Sequence, residues 1–405
     1  MNITFLLGNG FDRALGLKTG YSDFYEWYCK KTADSDVVRK FRKSIDQDIK
    51  NTDENTPKLW SDAELGLAAV TEKYGVEDFV TCCEDMHNML TEYLTEQDSK
   101  FITEDEKFSK IIQTFSSQLI EFQQDMKTRE QQLFTKLRDD NKEYDSVINF
   151  ITLNYTSTCD KIHKALSVKA LSSWTARNYT HVLKMGKIVH AHGYLDNFPI
   201  LGVCNPSLIA NQQYLDDPAF RVLMIKKESI DAIGETWRED TNTIINGSNV
   251  ICIFGASLGE SDSDYWESIG NWLKNGTSRR LVIFWYDTKI KNTNISIYEK
   301  YTTEKKIQNK FLGFTNFDEK LREELRNRIH IVVNAPHMFT LPEELRIKYP
   351  VPKTTQPVQS TTLLETIEHQ QQLEETIIRS NQIHDNLNPT ILQKVQEITK
   401  TLPTG

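Results

Sequence analysis

Apolar residues in this 405-residue chain fall into two kinds of pattern. Short runs rich in β-branched and aromatic residues occur from Ile3 to Leu7 and near 147–153, 187–191, 199–203, 250–254, 280–286 and 329–333, which predicts strands. Between these runs the apolar positions recur at three- and four-residue spacing, which predicts helices. Strands separated by helices point to a doubly wound, mostly parallel α/β sheet of Rossmann-like type rather than to a sandwich.

The longest gap between strands follows the first one and is filled by helix. Phe108, Ile112, Phe115, Leu119, Phe122 and Met126, continued by Leu133 and Leu137, predict one long amphipathic helix. Phe79, Cys83, Met86, Leu90 and Leu94 make a second apolar face before it. The expected arrangement is a large helical insert, about 21–145, packed beside the sheet. Beyond Tyr349, the prolines at 350, 352 and 357 in a Thr/Gln/Val stretch predict a linker, followed by a polar helix over about 361–387. The domain division is therefore 1–350 for the α/β domain with its insert and 351–405 for a linker and helical tail. The apolar stripe of that tail is too thin to stand alone, so it is expected to dock on the body or on another subunit.

A formal charge of -9 argues against a chain whose main business is coating nucleic acid. No run of 18 apolar residues predicts a membrane span, and the start Met1-Asn2-Ile3-Thr4 lacks the basic region of a signal peptide. Cysteines at 29, 82, 83, 159, 204 and 252 have no metal-like spacing. Free thiols in a cytoplasmic protein without a bound metal are the expectation.

Four polar motifs sit where strand-like runs give out. Gly8-Asn9-Gly10-Phe11-Asp12 follows the first run, Asn154-Tyr155 the second, His192-Gly193 the third, and Gly255-Ala256-Ser257-Leu258-Gly259 the run 250–254. In an open parallel sheet the carboxyl ends of the strands face one crevice, so these motifs should converge on one ligand. Gly8 and Gly10 suit a tight turn whose backbone approaches a phosphate, or a plain strand-to-helix turn. Asn154 can donate and accept at once, which suits a ribose hydroxyl and a water, or it can cap a helix starting near Ser157. His190 and His192 lie two apart in the predicted strand; His192, at its end, is the one able to reach a ligand. The G-x-S-x-G of residues 255–259 fits a hydrolase nucleophile elbow, with Asp287 and His337 completing the order Ser, Asp, His. It equally fits a glycine turn holding a sugar or phosphate.

Together with Tyr21-Ser22-Asp23-Phe24, Trp60 with Glu64, Thr156 and Asp262, these motifs resemble the AbiH family of bacterial phage abortive-infection proteins over about residues 1–335. That family is distantly similar to sirtuin-like domains, which in phage defence commonly cleave NAD with an Asn and a His. The resemblance implies Asn154 and His192 as catalytic residues. It also implies a dinucleotide loop at Gly8, Asn9 and Gly10 and an adenosine side at Gly255 and Ser257. Asp12 and Asp287 complete the expected cofactor-binding set. Asp12 or Glu64 is weighed as a stabiliser of a developing cation, against a helix N-terminal carboxylate or a structural salt bridge, the favoured reading for both.

The expected function is thus an antiphage effector that binds and hydrolyses NAD, with a phage-derived trigger and self-association through the insert or tail as the expected partners. The alternatives are a serine hydrolase using Ser257 and a non-catalytic nucleotide-binding component of a defence complex.

Overall fold

The computed structural model describes residues 1–51, 59–103, 105–288, 290 and 297–349. Within them the strands are β1 (Asn2–Leu7), β2 (Ser146–Thr152), β3 (Ser172–Ala176), β4 (Tyr179–His190), β5 (Val250–Phe254), β6 (Arg280–Trp285) and β7 (Ile329–Val333). They form one sheet in the order β3-β4-β2-β1-β5-β6-β7, parallel throughout except for the β3–β4 pair. Leaving out the edge strand β3, the chain steps outward from β1 to β2 and β4, then returns to the other side of β1 for β5, β6 and β7. That is the strand order of doubly wound nucleotide-binding folds, and its reversal puts a crevice between the carboxyl ends of β1 and β5.

Helices α1 (Gly10–Ala14), α2 (Tyr21–Tyr28), α3 (Asp36–Lys50), α4 (Ala63–Val70), α5 (Val76–Asp98), α6 (Glu106–Ile120) and α7 (Thr128–Asp140) lie between β1 and β2. α8 (Thr158–Leu166) leads to the β3–β4 hairpin. α9 (Pro218–Met224), α10 (Lys226–Ile233) and α11 (Trp237–Gly247) precede β5. α12 (Ser263–Lys274) follows it, and α13 (Ile297–Gly313) and α14 (Glu319–Arg326) precede β7.

Central strands are apolar throughout because both faces are covered. Ile3, Phe5 and Leu7 of β1 join Phe115, Phe122, Phe134 and Phe150 in one core, beneath α6, α7 and α8. Leu6 faces the other way, into a core with Ile253, Trp266 and Trp272 under α11 to α14. A third cluster is separate from both: Phe24, Tyr28, Phe41, Trp60, Leu67, Phe79 and Met86 of α2 to α5 pack with Leu201, Val203, Phe220 and Ile225. This cluster is a helical cap. The stretch between β1 and β2 therefore divides, α6 and α7 covering the sheet and α2 to α5 building the cap.

Three elements differ from the sequence reading. The single helix expected from Phe108 to Leu137 is two, because α6 ends at Ile120 and the linking residues Phe122 and Met126 turn inward, Phe122 meeting Phe5 edge-on at 6.2 Å. The run 199–203 is not a sheet strand. Val203 makes one parallel bridge to Ile225, and Leu201 and Val203 are taken into the cap core instead. The hairpin of β3 and β4 was not anticipated beyond 187–191. Its two-residue turn, Arg177 and Asn178, has positive φ at both positions, the geometry of a type I′ turn without the usual glycine.

Residues Met1–Ile347 form one compact unit. The linker and tail expected at 351–405 lie outside the described residues. No helix among the described residues is long and apolar enough to cross a membrane.

Candidate active site

At the switch point the loops after β1 and β5 touch. Gly8 N–H donates to the Phe254 carbonyl and Gly10 N–H to the Gly255 carbonyl, both at 2.9 Å. A Cβ on Gly8 would lie 2.7 Å from the Gly255 oxygen, and one on Gly10 would overlap Gly255 Cα. Gly255 itself has φ +71. The missing side chains of Gly8, Gly10 and Gly255 thus let two loops approach each other. Asn9 is turned to the protein, its Nδ2 donating to the Thr19 carbonyl at 2.9 Å and its Oδ1 accepting from the Thr19 hydroxyl.

Asn154 and Asp12 lie beside this seam. Asn154 Nδ2 donates to the Gly8 carbonyl at 3.2 Å, tying the end of β2 to the end of β1. It does not cap α8; Asp98 of α5 instead holds the N-cap residue Ser157, accepting from its N–H at 3.0 Å and from its hydroxyl at 2.6 Å. Asp12 is buried and accepts from Thr156 Oγ1 at 2.6 Å and Thr158 Oγ1 at 2.5 Å. Burial pushes its carboxyl up to about 6, against the pull of these hydroxyls.

The two histidines part company because β4 ends at His190 and Gly193, at φ +79, turns the chain away. His190 has an oxygen on each ring nitrogen, Asp160 Oδ2 at 2.7 Å and the Asn154 carbonyl at 3.0 Å, and stacks on Tyr194. It has nothing left to offer a ligand. His192 is also buried, yet its Nε2 makes no hydrogen bond. Asp262 Oδ1 is 3.0 Å away without the alignment of a formed hydrogen bond.

Around His192 the cap and the sheet meet in a buried ionic cluster. Lys226, the first residue of α10, donates to Glu64 Oε2 of α4 at 2.8 Å, to Asp262 Oδ1 at 2.5 Å and to the Ser261 carbonyl at 3.3 Å. Asp62 caps α4 with one oxygen and accepts from the Ser261 hydroxyl at 2.7 Å with the other. Tyr25 places a second unpartnered buried polar atom, its hydroxyl, near Asp62.

This environment separates the two carboxyls. Burial pushes Glu64 up to about 8, with Asp262 and Asp62 adding to the effect and Lys226 opposing it. Burial also works against the Asp262 carboxylate, but the Lys226 ammonium outweighs it and holds Asp262 well below the usual carboxylate range. Desolvation, helped by the Lys226 charge, lowers His192 and keeps its ring neutral. A neutral base, an ionised carboxylate and a protonated carboxyl around one ammonium are the parts of an acid–base site.

The alternative serine triad is not assembled. Ser257 is exposed, and the residue in the strained positive-φ position is Leu258, not the serine. His337 pairs with Asp125 through Nδ1, and its N–H donates to the same carboxylate at 3.0 Å. Asp287 is held at the end of β6 by Asn334, to whose Oδ1 its N–H donates at 2.8 Å. Lys310 donates to the Ser257 carbonyl at 2.8 Å.

Lys226 is the member of the cluster that sequence reading missed. It sits in Met-Ile-Lys-Lys-Glu, where the exposed Lys227 is chemically identical, and only the fold distinguishes them. Glu64 and Asp262 carried a signal only as members of the family pattern. Among the described residues no group of three or more His, Cys, Asp or Glu side chains is arranged to hold a metal ion.

Fold and cluster together define a doubly wound α/β protein with a helical cap and a buried cluster of ionisable groups at the strand carboxyl ends. The chain matches the family model described as "Bacteriophage abortive infection AbiH" over residues 4–285. With well over half its length matched, it belongs to that family and has a role in abortive infection by phage. No curated protein matches the chain.

Proposed function

We propose that this protein is an abortive-infection effector that hydrolyses NAD at the bond between nicotinamide and ribose. The observation that carries the reading is His192 Nε2, a buried ring nitrogen with no hydrogen-bond partner beside Asp262, at the carboxyl end of a doubly wound sheet. Nicotinamide leaves from a ring that already bears positive charge, so its departure needs no strong acid and proceeds through an oxocarbenium-like transition state. His192 takes a proton from the attacking water, and the Asp262 carboxylate faces the developing cation. Asn154 positions the ribose at the neighbouring strand end. His192, Glu64 and Lys226 are buried beneath the cap, which suits a cytoplasmic effector held silent until a phage-derived trigger arrives.

The test is to incubate the purified full-length protein with NAD and follow free nicotinamide by chromatography. Release is expected from the wild type and is lost in His192→Ala and Asn154→Ala, with unfolding temperatures close to the parent's. A folded, phage-protective wild type that leaves NAD intact overturns the reading.

A further inference from the structure

Glu64 has no task in releasing nicotinamide, yet it is the most elaborately placed carboxyl in the cluster. It comes from the cap, is buried, and shares the Lys226 ammonium with Asp262 of the sheet, at 2.8 and 2.5 Å. Two carboxyls on one nitrogen, beside an unpartnered histidine nitrogen, match the acid-and-carboxylate pairing that cleaves glycosidic bonds whose leaving group must be protonated. Tyr21 and Tyr155 stand near Glu64, both hydroxyls pushed up by burial first and by the Glu64 charge second.

We propose that the site also hydrolyses N-ribosides with a neutral purine base, Glu64 serving as the catalytic acid. This rests on the reading of the His192 crevice as an N-ribosyl hydrolase. The Glu64 carboxyl gives its proton to a ring nitrogen of the purine as the C1′–N9 bond breaks, and the bonding pair leaves with the base. Water adds to C1′, its proton passing to His192 Nε2, and exchange with solvent then removes that proton from His192 and returns one to Glu64. The environment that keeps Glu64 protonated near neutrality favours this step.

The experiment follows adenine release from AMP and nicotinamide release from NAD in parallel, for the full-length wild type, Glu64→Gln and Glu64→Asp. The wild type is expected to release both bases. Glu64→Gln should lower adenine release by roughly 100-fold or more, at least about 20-fold beyond any fall in nicotinamide release, and Glu64→Asp should recover part of the loss. Nicotinamide release without adenine release from the wild type overturns this inference and leaves the NAD reading standing. Adenine release without nicotinamide release does the reverse. Equal loss of both activities in Glu64→Gln shows that Glu64 supports the architecture of the site and overturns its role as acid.

Discussion

Gly10 and Gly255 meet backbone to backbone across the switch point of the sheet, the Gly10 N–H donating to the Gly255 carbonyl at 2.9 Å. A methyl on either residue would enter the other's main chain. Because the obstacle is backbone rather than the end of a flexible side chain, little local adjustment is available. Gly10→Ala should cost about 2–4 kcal/mol in chemical denaturation. A change below about 0.5 kcal/mol would show that the two loops part easily.

Lys226 holds two carboxyls, of which Asp262 is the ionised one, so its removal leaves the Asp262 charge without its cation. Lys226→Met should destabilise the protein by about 3–5 kcal/mol. Adding Asp262→Asn to that variant should restore part of the loss, because the second change removes the stranded charge. Simple additivity of the two costs in urea titrations would argue that the carboxyls do not sense the same ammonium.

Asp12 gives a pH signature of known sign. Its carboxyl sits at about 6 in the folded protein, above the ordinary 3.8, because burial disfavours the ionised form. The protonated form therefore contributes stability that is complete below about pH 4 and lost as pH rises through about 6. Asp12→Asn stays neutral throughout, so from pH 4 to pH 7 its stability relative to wild type should rise by on the order of 2–3 kcal/mol. Thermal melts of both proteins across that range measure the difference, and parallel curves would contradict the burial of the charge.

Ser257 separates the two kinds of hydrolase. In the nucleotide reading its hydroxyl lends at most one hydrogen bond of about 0.5–1.5 kcal/mol, so Ser257→Ala should weaken NAD binding by roughly tenfold or less and keep the rate at saturation. His337→Ala should likewise leave the rate alone, its ring being engaged with Asp125. Labelling of Ser257 by a fluorophosphonate, with esterase activity lost in Ser257→Ala, would replace the nucleotide reading with a serine hydrolase.

Much of the sheet is legible in the chain because its central strands are buried on both faces and read as unbroken apolar runs, as in Val250 to Phe254 and Ile329 to Val333. The run 199–203 has the same composition but a different fate, since burial in the cap needs apolar side chains as much as burial in a sheet does. β3 escapes notice because it is a polar, half-exposed edge strand joined through Arg177 and Asn178 rather than an Asn-Gly turn. At the site, His192 is recognisable from its place before Gly193. Lys226 is not, because its role arises only when α4 and the loop after β5 close around it.

The Lys226 cluster also sets an order of events in the life of the chain. Glu64 lies 162 residues before the lysine that holds it, and Asp262 lies 36 residues after. A ribosome that has released the cap helices and His192 has not yet produced the carboxylate that completes the site. Polypeptides that end before Asp262 therefore lack one carboxylate of the cluster, which closes only in a molecule that has been synthesised past that residue and folded.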